Sequence, residues 1–175
     1  MELSGIALRE WLASIQPNAE RPLNEIKVVF LGDGEAGKSH VVQRLMQDGA
    51  KIENFDGDAT PGIAIHHNVM QLPDRTVKVH YWDFGGQEIL YSMHRMFLVK
   101  HTLYVVVLNT RQDNQDERAR FWLRYLRTYA KEAPVLLVLN KVDQNDGASV
   151  NEAQLRRLNG NLKKTIRLSA WAYSK

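Results

Sequence analysis

Cysteine is absent from the 175 residues. That excludes disulfide frameworks and thiolate metal sites, and it fits a reducing compartment, so a cytoplasmic location is expected. No apolar run approaches the ~20 residues that a membrane span needs. Met1-Glu2-Leu3-Ser4 shows no basic region followed by an apolar core and no glycine at position 2. The expectation is a chain without a secretory signal or a direct membrane anchor. Internal repeats and low-complexity segments are missing too. Blocks of like charge are also missing: 23 Lys and Arg stand against 20 Asp and Glu, a net +3. A nucleic-acid surface is therefore not expected. Hydrophobic residues at 44% and charged residues at 25% are ordinary globular usage and argue against disorder.

Against this background, apolar runs alternate with helical patterns. Strands are predicted over Ile26–Leu31, Ile63–Met70, Thr76–Asp83, Leu103–Asn109, Val135–Asn140 and Thr165–Ser169. Leu103–Asn109 and Val135–Asn140 are apolar on both faces, as parallel strands covered by helices should be. The second and third strands read as a hairpin around Leu72-Pro73-Asp74-Arg75. Helices are predicted over Lys38–Gln47, Asp113–Lys131 and Val150–Asn159. The pattern predicts an α/β three-layer sandwich whose six-stranded sheet is mostly parallel with one antiparallel edge. Leu8, Trp11, Leu12 and Ile15 follow the spacing of a short amphipathic helix, which Pro17 and Pro22 end. Residues 1–24 thus read as a linker and residues 25–175 as one domain, expected to be a fragment cut before its last helix.

Four sequence patterns carry chemistry. Gly32-Asp33-Gly34-Glu35-Ala36-Gly37-Lys38-Ser39 follows a strand and opens a helix. Such a loop turns backbone N–H groups onto phosphate oxygens, Lys38 adds a mobile cation, and Ser39 offers a hydroxyl to Mg²⁺. Glu35 is expected to point to solvent, since a carboxylate facing phosphate would repel it. Asp83 ends a strand and can help to hold the metal, Gly86 allows close approach of its N–H to a terminal phosphate, and Gln87 can orient water. Asn140-Lys141-Val142-Asp143 ends another strand. Asp143 can accept the guanine N1–H and N2–H₂ together, whereas a buried carboxylate facing adenine, which has neither donor, would stay unpaired. The Lys141 stem would lie over the base, Asn140 would tie its loop to the phosphate loop, and Ser169-Ala170 would bring an N–H to the base oxygen. On the helix over residues 113–131, Phe121, Tyr125 and Tyr129 are expected in the core or at a subunit interface, and Arg118, Arg120, Arg124, Arg127 and Lys131 on a solvated face.

In this order and spacing the motifs resemble the Ras-like small GTPases, and Trp82-Asp83-Phe84-Gly85-Gly86-Gln87-Glu88 is most similar to the Roc (Ras of complex proteins) domains of Roco proteins. Phe121-Trp122-Leu123-Arg124 before Pro134 is similar to them as well. The resemblance implies a P-loop GTPase fold that binds GTP or GDP with Mg²⁺, hydrolyses GTP slowly and acts as a molecular switch. It implies Gln87 and Lys38 in catalysis. It places Gly32, Asp33, Gly34, Glu35, Ala36, Gly37, Lys38, Ser39, His40, Thr60, Gly86, Asn140, Lys141, Asp143, Ser169, Ala170 and Trp171 at the nucleotide, and Ser39, Thr60 and Asp83 at the metal. Trp171 stands where Ras proteins favour lysine. Flanking leucine-rich repeats, a COR module and a homodimer are implied for the full protein. A nucleotide-stabilised scaffold with negligible hydrolysis and a stand-alone Arf- or Rab-like GTPase stay open as alternatives.

Overall fold

The computed structural model describes residues 24–46, 60, 62–71, 73, 76–86, 97–99 and 101–171. The predicted N-terminal helix and Gln87 lie outside these residues.

Strand β1, Glu25–Leu31, feeds helix α1, Lys38–Met46. The hairpin β2, Ile63–Gln71, and β3, Thr76–Phe84, comes next, followed by β4, Leu103–Asn109. Helix α2, Gln115–Tyr129, leads to β5, Val135–Asn140, and helix α3, Glu152–Leu158, leads to β6, Leu162–Leu168. The sheet order is β2-β3-β1-β4-β5-β6, and only the β2–β3 pair is antiparallel.

Side chains alternate across the sheet, so each strand feeds two cores. Val28, Phe30 and Val105 pack on one face against Val41 and Val42 of α1. Val29, Leu31 and Val106 pack on the other against Trp122, Leu123 and Leu126 of α2 and Leu155 of α3. That is the three-layer sandwich the sequence predicts. The strands are paired so that Phe30 meets Asp83, Asn109 meets Asn140, and Asn140 meets Leu168. The carboxyl ends of the parallel strands therefore open at one edge, where α/β sheets hold ligands.

Several elements differ from the sequence reading at their ends: helix α2, predicted over Asp113–Lys131, is two residues shorter at each end, and two further differences have a visible cause. The last strand begins at Leu162, three residues earlier than predicted. Leu162 is buried opposite Val135, but Lys163 and Lys164 behind it are exposed on an edge strand and break the apolar run. Helix α3 begins at Glu152 because the Asn151 side chain caps it, accepting from the Gln154 N–H at 3.1 Å. Among the described residues no helix is long and apolar enough to cross a membrane.

Candidate functional site

The phosphate loop runs from the end of β1 into α1. Gly37, at φ +86°, packs on Asn140 so closely that a Cβ would strike the Asn140 amide nitrogen. Lys38 is buried, and its ammonium donates to the carbonyls of Gly32 at 3.0 Å and Asp33 at 2.9 Å. Burial pulls it down to about 8, against the opposing pull of the Asp83 and Asp33 carboxylates. The first turn of α1 holds no acidic residue of its own to offset the positive end of its dipole at the loop. Glu35 is exposed, as the charge argument requires. It takes φ 60°, a conformation that favours glycine, and its carbonyl accepts from Lys141 Nζ at 2.6 Å.

Three oxygen-bearing side chains converge beside the loop. Ser39 Oγ donates to Asp83 Oδ2 at 2.5 Å, and Thr60 Oγ1 lies 3.1 Å from Ser39 Oγ and 3.3 Å from Asp83 Oδ2. Among the described residues, Asp83 Oδ1 is buried without a hydrogen-bond partner. Burial pushes the Asp83 carboxyl above its usual range, offset in part by the Ser39 hydroxyl and the Lys38 charge. Hard oxygen donors with a buried orphan carboxylate oxygen fit Mg²⁺. Gly86 lies against the same loop: a Cβ on it would sit 2.5 Å from Asp33 C, Asp33 O and Gly34 N. Only glycine permits that approach.

On the other side of the loop, Asn140 is the hub. Its side chain donates to Ala36 O at 2.9 Å and accepts from Ala170 N at 3.0 Å, both inside the protein. Lys141, at φ 68°, begins the short 3₁₀ turn Val142–Gln144. Asp143 on that turn is exposed. The turn leaves it at the rim, so a base seated against it must itself exclude the water. Ser169 is half-buried, Ala170 is buried and Trp171 is 60% exposed, and the His40 and Trp171 rings meet edge to face at 5.8 Å.

The profile of the family described as "Ras of Complex, Roc, domain of DAPkinase" matches residues 27–143. The chain belongs to this family. A solved structure of Methanosarcina barkeri Roco2 RocCORdC bound to GDP is 39% identical to this Roc domain. The match has a TM-score of 0.71 and covers 86% of this chain and 45% of that one. Rab-like protein 2A of Pongo abelii is 28% identical over 131 residues, 75% of this chain and 54% of that protein. Rab-like protein 2B of Homo sapiens is 28% identical over 120 residues, 69% of this chain and 51% of that protein. The chain thus spans about half the length of the curated relatives it matches.

Two arginines of this Roc domain escape sequence reasoning. Arg44 of α1 donates to Ala170 O at 2.7 Å and Trp171 O at 3.3 Å, and so braces the last loop. Arg118 of α2, expected on a solvated face, instead forms a two-point ion pair with Asp33 of the phosphate loop. Its i, i+4 spacing from Trp122, which also reaches Asp33, is the signal that could have found it. Of the aromatic stripe, Tyr125 packs half-buried against the core, but the two ends of the stripe do not. Phe121 is 37% exposed and Tyr129 39%, whereas Trp122 and Leu126 beside them fill the core.

Proposed function

We propose that this Roc domain binds GTP and GDP with Mg²⁺, hydrolyses GTP slowly and works as a switch inside a larger protein. One observation carries the reading. The Asn140 amide bonds both the phosphate loop, at Ala36, and the Ser169-Ala170-Trp171 loop, at Ala170. A ligand with phosphates at one end and a base at the other spans those loops, and Asp143, three residues past Asn140, supplies the carboxylate that prefers guanine. The GDP of the Roco2 relative supports the same ligand. Its RocCORdC composition supports a COR module beside this domain in the full protein, with leucine-rich repeats and a homodimer as further parts of the proposal. Residues 25–175 are taken as the nucleotide-binding unit.

Ser39, Thr60 and, through water, Asp83 would hold Mg²⁺, which when bound would supply positive charge against the phosphates. Lys38 and the loop N–H groups stabilise the charge developing on the transferred phosphoryl group. Gln87 orients the attacking water through its amide. Without an arginine supplied in trans, positioning alone makes a slow enzyme. Release of Thr60 and Gly86 on loss of the γ-phosphate is the switching step.

Single-turnover hydrolysis by the wild-type chain and by Gln87→Ala tests the chemistry. The variant is expected to fall at least about tenfold below a slow but measurable wild-type rate. Equal, negligible rates would instead favour the scaffold. The base reading has its own test. Asp143→Asn is expected to weaken GDP by about tenfold or more, while the weak binding of ADP does not change, since the lost acceptor serves only guanine. Unchanged selectivity would remove Asp143 from the base site.

A further inference from the structure

Asp33 is the second residue of the phosphate loop, and it lies at a junction. Its carbonyl accepts from Lys38 Nζ, and its peptide is the surface that Gly86 packs on. Its carboxylate turns the other way, toward α2. There Arg118 grips both oxygens, with Nε donating to Oδ2 at 2.5 Å and a terminal nitrogen donating to Oδ1. Trp122 Nε1 adds a third bond to Oδ1 at 3.3 Å. The ion pair is sheltered, with the Asp33 and Arg118 side chains 25% and 24% exposed. Two parallel donors on one carboxylate fix orientation as well as charge. Arg118 also lies over the Phe121 ring, 4.8 Å from its centroid, and Phe121 is a member of the exposed aromatic stripe.

A carboxylate is a costly residue in a loop that receives a polyanion. Left uncompensated, it would repel the incoming phosphates and compete for Lys38. The geometry points to Arg118 as a positioning residue: it neutralises Asp33, turns its carboxylate away from the phosphates, and so couples helix α2 to nucleotide affinity. This rests on the guanine-nucleotide reading of the loop. It adds a determinant that none of the nucleotide-binding motifs contains.

The test is GDP and GTP titration of the full chain with Mg²⁺, with a thermal melt of each nucleotide-free variant as the fold control. Arg118→Gln is expected to weaken both nucleotides by about tenfold. Arg118→Lys keeps the charge and loses the two-point grip, so it is expected to fall between the wild type and Arg118→Gln. Adding Asp33→Asn to Arg118→Gln is expected to regain most of the lost affinity, because the repelling charge leaves with its partner. A merely structural brace would not respond in this way, since the double variant would bind no better than the single one. Phe121→Ala, on the exposed stripe, is expected to act in the same direction by about two- to threefold. Wild-type affinity in Arg118→Gln, or a double variant as weak as the single, would overturn the inference and leave the nucleotide reading standing. If the wild-type chain binds neither GDP nor GTP, the reading itself falls and takes this inference with it.

Discussion

Lys38→Met is expected to weaken GDP and GTP by about a hundredfold or more, while the nucleotide-free chain melts at the same temperature or higher. The two halves have one cause. Lys38 is 6% exposed, and burial lowers its pKa to about 8, so its charge is expensive to keep in the fold. The carbonyls of Gly32 and Asp33 are the groups on which its ammonium now rests. Methionine fills a similar volume without that charge, and the desolvation cost that disappears offsets the two carbonyls left without their donor. Bound phosphate reverses the balance, because a charge-assisted hydrogen bond in a sheltered site contributes ~1.5–3 kcal/mol and lysine would make one to each of two phosphates. About 3 kcal/mol is about a hundredfold in affinity. Nucleotide titration and a melt of the apo chain read the two halves separately. A variant that loses stability in parallel with affinity would mean that the lysine braces the loop and does not serve the ligand.

Much of the fold was readable because the central strands are apolar on both faces and the glycine-rich loop interrupts strand and helix where few other residues could. The edge was harder. Lys163 and Lys164 hide the first half of β6, since an edge strand gains from exposed charge what it loses in apolar pattern. Helix α2 shows a different limit. It carries two neighbouring stripes, Phe121-Tyr125-Tyr129 and Trp122-Leu126, and helical period fits either one to the sheet. The sheet takes Trp122 and Leu126, and the exposed stripe keeps its ring contacts, Phe121 to Tyr125 at 6.3 Å and Tyr125 to Tyr129 at 4.9 Å. At the site, Lys38, Ser39, Asp83 and Asn140 announce themselves because their chemistry is local to short motifs. The Asp33–Arg118 pair does not, because its partners stand 85 residues apart and meet only when α2 crosses the end of β1. Asp143 lies at the rim, and motif chemistry, which names a partner for a base, says nothing of what shelters the carboxylate before the base arrives.

Asn140→Ala is expected to damage the fold and the site together. The side chain is 1% exposed and makes two bonds that no water can replace: its amide nitrogen donates to Ala36 O and its oxygen accepts from Ala170 N. Alanine orphans both backbone groups and leaves a small void beside Gly37. At ~1–3 kcal/mol for each of the two buried unsatisfied groups, the loss is about 2–6 kcal/mol, a large share of the ~5–15 kcal/mol that holds a domain together. For a chain of this size that corresponds to a fall of roughly 4–24 °C in Tm. Since the same amide joins the phosphate loop to the base loop, the rise in Tm on adding GDP and Mg²⁺ should also shrink, as that rise grows with the ligand's affinity. Asn140→Asp separates the two bonds. It can still accept from Ala170 N, but it sets a carboxylate oxygen against Ala36 O, so it is expected to lose the phosphate-loop bond, keep the base-loop bond and bind nucleotide still more weakly. Melts of both variants with and without GDP decide the matter: an Asn140→Ala chain with the wild-type Tm and the full GDP shift would show that the two loops hold their places without this bridge.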